Sequence, residues 1–189
     1  TTRPMATRPR PARPSLNARE SAPVTAEAEL GRDPRAALKQ MFFVGSGDAP
    51  QDEWIKPRPA GSGLLEGWAT PPEGPLSFMS DEVLDEYGRT FKEGGFFGPV
   101  SWYRNIGSDY YEMHAYPDQR IHVPSAFLCG DKEVALSMFP EGLEVQRQFV
   151  PGLRVEKILP GAGHWIQQER PSEVNEAIIA FLSDIRSQI

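Results

Sequence analysis

The sequence predicts an α/β fold in which a mainly helical first part precedes a short parallel sheet. From Val123 onward the pattern alternates strand, helix, strand, helix, which is typical of parallel strands joined by crossover helices. The second strand pattern breaks at Gly161-Ala162-Gly163 into a turn that carries His164. Because glycine turns sharply without a side-chain clash, this turn should place the imidazole at the rim of the sheet, where α/β folds position active sites.

The structured region is predicted to begin with two short helices and a long loop. Residues 26–30 have a helical pattern, and Asp33 followed by Pro34 is typical of an N-cap with proline at the first helical position. The second helix should run through Phe42. The stretch 44–79 is rich in glycine and proline, which predicts that it is mostly loop.

Two longer helices are predicted to follow this loop. Ser80 is a suitable N-cap for the first of them, and Gly94-Gly95 should end it. The second should start at Pro99. One of its faces carries large apolar residues four positions apart, namely Trp102, Ile106 and Tyr110.

The periodicity then changes to that of the predicted sheet. The run from Val123 to Cys129 is mostly apolar, which predicts a strand buried on both faces. Residues 141–149 are predicted to be a helix and Arg154 to Leu159 a second strand. Pro171 should open the last helix, whose buried stripe is predicted to consist of Val174, Ile178, Phe181, Leu182 and Ile185.

Residues 1–25 differ from the rest of the chain in charge and composition. They contain five arginines, five prolines and a single acidic residue, Glu20, with few large apolar side chains. Such a segment cannot bury enough apolar surface to offset the entropy of ordering, which predicts a disordered Pro/Arg-rich tail. An arginine-rich, acid-poor leader is also typical of a transit peptide, and this alternative stays open.

The composition argues against several classes of function. Hydrophobic residues make up 39% of the 189 residues and charged residues 24%, as is ordinary for a soluble domain. The net charge of −6 argues against nucleic-acid binding, and no apolar run approaches the length of a membrane span. No CxxC motif and no His/Cys cluster is present, so we expect no zinc and no cofactor. The single cysteine, Cys129, predicts a buried thiol in a reducing, cytoplasmic compartment.

Acidic residues and a histidine follow the two predicted strands. Asp131 and Glu133 come after the first strand and His164 after the second, so parallel pairing should bring them to one sheet edge. A carboxylate beside an imidazole fixes its tautomer and stabilises its protonated form, as a general base requires. The alternative is a turn-capping histidine with solvated carboxylates. His114 and His122 precede the first strand, which predicts structural or solvated roles for both.

Three segments together carry a family resemblance. The runs 123–133 (VPSAFLCGDKE) and 160–171 (PGAGHWIQQERP), with Val174-Asn175, resemble the C-terminal part of α/β-hydrolases of the epoxide hydrolase group. The run 98–105 (GPVSWYRN) resembles the segment of that family's helical cap that carries an active-site tyrosine. The resemblance extends from about Ala26 to the C-terminus.

The resemblance implies a partial α/β-hydrolase fold, a helical cap followed by the last strands and helices of a parallel sheet. On this reading residues 1–25 are the tail, 26–120 the helical cap or lid, and 121–189 the C-terminal part of the hydrolase core. The strands that precede the cap in the family would come before residue 26. A two-stranded remnant leaves apolar faces uncovered, which predicts self-association through exposed core surface.

The resemblance also implies roles for individual residues. His164 would activate a water molecule, and Tyr103 would donate a hydrogen bond to the epoxide oxygen as the ring opens. Glu133 stands where the family usually has the aspartate that orients the histidine, with Asp131 as the alternative acid. Glu169 and its neighbour Arg170 are expected to hold the loop ahead of the last helix.

The predicted activity is the opening of a small apolar epoxide to a diol through an ester intermediate. In the family an aspartate on a strand-to-helix elbow forms that ester. No G-x-D-x-G or G-x-S-x-G elbow is present, which predicts a truncated chain without the nucleophile. Two alternatives stay open: a hydrolase half that needs an N-terminal partner, and a non-catalytic interaction module.

Overall fold

The computed structural model describes residues 24–51, 56–57, 59, 61–116 and 118–187. Residues 1–23 lie outside this part, so the disorder of the tail stays a prediction, as does the division into cap and core. The described residues form eight helices and two strands: α1 (Val24–Leu30), α2 (Pro34–Val44), α3 (Asp81–Gly94), α4 (Phe97–Met113), β1 (Ser125–Gly130), α5 (Val134–Met138), α6 (Gly142–Phe149), β2 (Leu153–Leu159), α7 (Ile166–Glu169) and α8 (Pro171–Arg186).

Local capping explains why α2 and α3 begin, and why α3 ends, where the sequence predicts. The Asp33 carboxylate accepts the Ala36 N–H at 3.0 Å, and the Ser80 hydroxyl accepts the Val83 N–H at 3.4 Å. Gly95 ends α3 with a φ of +70°, a conformation that suits glycine. Helix α4 begins at Phe97, two residues before the predicted start, because Pro99 lacks an N–H and fits the first turn.

The two strands pair in parallel, which confirms the α/β fold class. Their register runs from Ala126 opposite Val155 to Gly130 opposite Leu159. Helices α5 and α6 form the connection between them, as a parallel pair requires. The short helices α5 and α7 were not predicted, because so few residues leave no readable helical period.

The expectation that β1 is buried on both faces is wrong. Among its residues only Cys129 and Gly130 are buried, and the others are half-exposed. The predicted stripe of α8 is also wrong in part, because Val174 is buried whereas Ile178 and Leu182 are exposed. A buried strand needs neighbours on both sides and layers on both faces. In the described part of the chain the sheet partner of β1 is β2 alone.

Two hydrophobic clusters stabilise the described fold. The first is formed by α1–α3, the loop before α3 and the residue that precedes α4: Leu30, Ala37, Leu38, Phe42, Leu76, Met79, Leu84 and Phe96. The second lies beside the sheet and consists of Leu159, Ala162, Ile166 and Val174. Trp165 connects them, because it directly precedes Ile166 and its ring lies 4.8 Å from the Phe42 ring.

A wide apolar surface is exposed on α4. Trp102 and Tyr103 are 79% and 76% exposed, and Ile106 and Tyr110 are also exposed. Contiguous exposed apolar surface of this kind typically marks an interaction or ligand-binding surface. Within the described residues, no helix combines the length and apolar character that a transmembrane span requires.

Burial of Cys129 gives a first testable prediction. Loss of solvation raises the pKa of its thiol, and the negative charges of Glu133, Glu156 and Asp131 raise it further. Because the thiolate is the reactive form, a thiol reagent near neutral pH should label the folded chain at least about tenfold more slowly than the urea-unfolded chain. Folded-chain labelling should rise with pH. Equal labelling rates, followed by mass spectrometry, would contradict the buried placement.

Candidate active site

Three consecutive residues after β1 contact the turn after β2. This histidine turn comprises residues 160–165. Asp131 accepts the N–H of Gly161 at 2.7 Å, and the Lys132 N–H donates to the Ala162 carbonyl at 3.0 Å. The loops that follow the two parallel strands are therefore joined residue by residue at one sheet edge, as the strand pattern predicts.

The third contact is between an imidazole and a carboxylate. Nδ1 of His164 lies 2.8 Å from Oε2 of Glu133. An ionised carboxylate only accepts hydrogen bonds, so Nδ1 carries the hydrogen and Nε2 holds the basic lone pair. The other Glu133 oxygen accepts the Ala135 N–H at 3.1 Å, which caps α5 and orients the carboxylate. Glu133 is 13% exposed and His164 49%, so the acid is sheltered while the imidazole stays accessible.

The structure distinguishes Asp131 from Glu133, the two acids that the sequence offers as partners of His164. Asp131 is exposed and its carboxylate binds the backbone of Gly161, which adopts a φ of +74°. Glu133 contacts the His164 ring. The longer glutamate side chain is thus compatible with a 2.8 Å contact to the imidazole. The chemical role of either acid stays a prediction.

Tyr103 lies apart from this pair in terms of contacts. Its helix, α4, is held to α1 by an ion pair between Arg104 and Glu27, which lowers the pKa of Glu27. Within the part of the chain that the structure describes, Tyr103 makes no hydrogen bond to His164 or Glu133. The contacts therefore neither support nor contradict its predicted role in ring opening.

The other two histidines make local contacts. Nδ1 of His114 donates to the Tyr110 carbonyl at 2.7 Å at the end of α4. Nε2 of His122 lies 3.4 Å from the Asp118 carboxylate on the exposed surface. Both sites agree with the structural or solvated roles expected for them. In the described residues, no group of three or more His, Cys, Asp or Glu side chains could hold a metal ion.

A segment that the sequence predicts to be loop lies directly against the histidine turn. This glycine strap comprises residues 45–47. The His164 N–H donates to the Gly45 carbonyl at 2.7 Å, and Nζ of Lys132 donates to the Gly47 carbonyl at 2.6 Å. A Cβ on Gly47 would lie 2.0 Å from the Gly161 oxygen, so the backbones approach as closely as only glycine allows. The Gly-Ser-Gly sequence was the available signal.

The two residues that precede α8 also bind this region. The Glu169 carboxylate accepts N–H groups from Gly47 at 2.8 Å, Gly163 at 2.9 Å and Trp165 at 3.0 Å. The Arg170 guanidinium donates to the Pro160 carbonyl at 3.0 Å. Both residues therefore contact the histidine turn, in agreement with the expectation that they hold this loop.

Comparison with curated proteins finds relatives whose names all include epoxide hydrolase. The chain is 32% identical over 166 residues to epoxide hydrolase A of Mycobacterium tuberculosis, which covers 86% of this chain and 50% of the relative. It is 32% identical over 161 residues to bifunctional epoxide hydrolase 2 of Rattus norvegicus, which covers 85% of this chain and 28% of the relative. No protein-family model matches the chain.

Comparison with solved structures gives the same result. An epoxide hydrolase from an endophytic Streptomyces matches with a TM-score of 0.80 and 32% identity, covering 88% of this chain and 50% of that structure. Epoxide hydrolase A from Mycobacterium thermoresistibile matches with a TM-score of 0.75 and 32% identity, covering 89% and 51%. The chain spans about half the length of these structures and no more than half of the two curated relatives.

Proposed function

We propose that this chain has a hydrolase function. The premise is that the chain is related to the C-terminal part of epoxide hydrolases with the α/β-hydrolase fold. The predicted family resemblance and fold class are thereby confirmed. The proposed reaction opens a small apolar epoxide to a diol through an ester intermediate. The observation that carries the proposal is the 2.8 Å contact between His164 Nδ1 and Glu133 Oε2 at the end of parallel strands.

In the proposed first step, a carboxylate attacks one epoxide carbon and the carbon–oxygen bond of the ring breaks. A hydroxyl that is hydrogen-bonded to the ring oxygen gives up its proton to this oxygen as the ester forms, and the imidazolium of the second step returns a proton to the hydroxyl oxygen. We assign this hydroxyl to Tyr103, whose largely exposed phenol ring is available to a substrate. The neighbouring exposed Trp102 and Ile106 would supply apolar contacts to the same substrate.

In the proposed second step, His164 removes a proton from water through Nε2. The resulting hydroxide attacks the ester carbonyl, the acyl–oxygen bond breaks, and the diol leaves as the carboxylate is regenerated. The Glu133 carboxylate stabilises the imidazolium that forms and keeps the Nδ1–H tautomer in place. A sheltered acid beside a half-exposed histidine suits this use, because water can reach the ring while the carboxylate stays oriented.

The nucleophilic carboxylate is proposed to come from outside the described residues, on the sheet strands that complete the fold. Support comes from the half-exposed β1 and the exposed apolar face of α4, which are surfaces that a further half would cover. Both the truncated-hydrolase prediction and the prediction of an N-terminal partner require such a half. The exposed surface also favours a second candidate, a non-catalytic module that uses it to bind another protein or a second copy.

The experiment combines this chain with an N-terminal half. The Streptomyces epoxide hydrolase, with its TM-score of 0.80, offers a matching half for co-expression. We call the combination the assembled hydrolase. Diol formation from styrene oxide, measured by chromatography, is expected for the assembled hydrolase and not for either half alone.

Two outcomes would contradict the proposal in different ways. Diol formation by the chain alone that disappears in His164→Ala would mean that a nucleophile lies within the chain. A stable, monodisperse complex of the two halves without any turnover would favour the interaction module. Analytical ultracentrifugation of the chain alone checks self-association in the same samples.

A further inference from the structure

We propose that Glu169 is a positioning residue for His164, and that it links the glycine strap to the histidine turn. Its carboxylate accepts the backbone N–H groups on both sides of the histidine, from Gly163 at 2.9 Å and Trp165 at 3.0 Å. The N–H of His164 itself donates to Gly45 at 2.7 Å. Three consecutive backbone N–H groups are thus held, which fixes the direction in which the imidazole leaves the chain.

Helix capping does not account for all of these contacts. Trp165 is the N-cap of α7, so the reach of Glu169 back to its N–H resembles an ordinary capping interaction. The same carboxylate also accepts the Gly47 N–H at 2.8 Å, 122 positions away in the chain. One half-buried charge therefore serves three donors from two separate segments, and hydrogen bonds to a charged group are the stronger kind.

The strap is attached to the site at a second point as well. Lys132, which directly precedes Glu133, donates from Nζ to the Gly47 carbonyl at 2.6 Å. Gly47 of the strap therefore contacts Lys132, next to Glu133, through its carbonyl and the Glu169 carboxylate through its N–H. A displacement of the strap would be transmitted to both members of the His164 and Glu133 pair.

The test measures the position of the imidazole directly in the full chain, labelled with ¹⁵N. The ring-nitrogen shifts at mildly alkaline pH report the fraction of the Nδ1–H tautomer that the Glu133 contact selects. Amide exchange reports the three donors. In Glu169→Ala the exchange of Gly47, Gly163 and Trp165 is expected to accelerate about tenfold to a hundredfold, and the Nδ1–H tautomer fraction to fall.

A conservative variant keeps the proposal testable if the alanine variant fails to fold. Glu169→Gln retains one acceptor oxygen, so it should restore protection of some of the three amides and part of the Nδ1–H tautomer. Glu176→Ala is the matched control, because Glu176 is an exposed glutamate on α8. Wild-type exchange and tautomer fractions in a folded Glu169→Ala or Glu169→Gln chain would overturn the proposal.

The functional part of this inference rests on the proposed hydrolase function, and the two can fail separately. In the assembled hydrolase, Glu169→Gln should lower kcat more than it changes KM, because the Glu169 carboxylate binds backbone N–H groups beside the base. Absence of turnover would end the hydrolase proposal and leave the tautomer measurement valid. A normal tautomer in the variants would end the positioning role even if turnover is observed.

Discussion

Replacing His164 with alanine in the assembled hydrolase is expected to lower diol formation by about 10²–10⁴-fold, the usual contribution of a positioned general base. The imidazole is the group placed to take a proton from water, with its other nitrogen 2.8 Å from Glu133. The ester should still form, because the nucleophile acts before the base. Mass spectrometry after mixing with styrene oxide should therefore detect an accumulated covalent adduct.

Two variants of Glu133 distinguish the effect of its charge from the effect of its side-chain length. Glu133→Gln removes the charge that stabilises the imidazolium, so a large loss of kcat is expected, whereas Glu133→Asp keeps the charge and should lose less. His122→Ala is the matched control for His164→Ala, because His122 is an exposed histidine that contacts Asp118 and not Glu133. A His164→Ala enzyme that hydrolyses the ester at the wild-type rate would contradict the assignment of the base.

Gly163→Ala is expected to cause a large loss of stability, because the added methyl group would clash with the backbone of the glycine strap. A Cβ there would lie 2.4 Å from the Gly45 oxygen and 2.5 Å from the Ser46 carbonyl carbon, both in the backbone. The strap would have to move, which costs about 3 kcal/mol in the free energy of unfolding. Urea denaturation followed by fluorescence measures this change.

A second glycine provides the control for this experiment. A Cβ on Gly98 in α4 would meet no heavy atom within 4 Å, so Gly98→Ala should leave stability unchanged or raise it by about 0.5–1 kcal/mol. Equal midpoints for the Gly163 and Gly98 variants would mean that the strap and the turn are not in contact in solution.

Features that depend on neighbouring residues were predictable from the sequence. Asp33 and Ser80 cap their helices through side-chain contacts within three residues, so their positions could be read directly. The pairing of an acid with His164 followed from parallel strands, whose ends meet at one edge. The choice between Asp131 and Glu133 depends on side-chain directions that strand spacing does not encode.

Features that depend on distant residues were not predictable. Apolar strand and helix patterns suggested full burial of β1 and of the α8 stripe, but burial is decided by what packs against them. The contact between Gly47 and Glu169 joins residues 122 positions apart. The Gly-Ser-Gly sequence indicates a close backbone approach, but it does not identify the segment that approaches, so the loop could not be assigned to the site.

The position of Trp165 has a consequence for how the molecule melts. Its ring packs on Phe42 in one cluster, while the next residue, Ile166, belongs to the other. Unfolding of either hydrophobic cluster therefore removes contacts from the other cluster. Both clusters should unfold in one cooperative step on heating. The indole is also a natural fluorophore beside the imidazole, at 4.8 Å between ring centres, and its emission would register that step without any added dye.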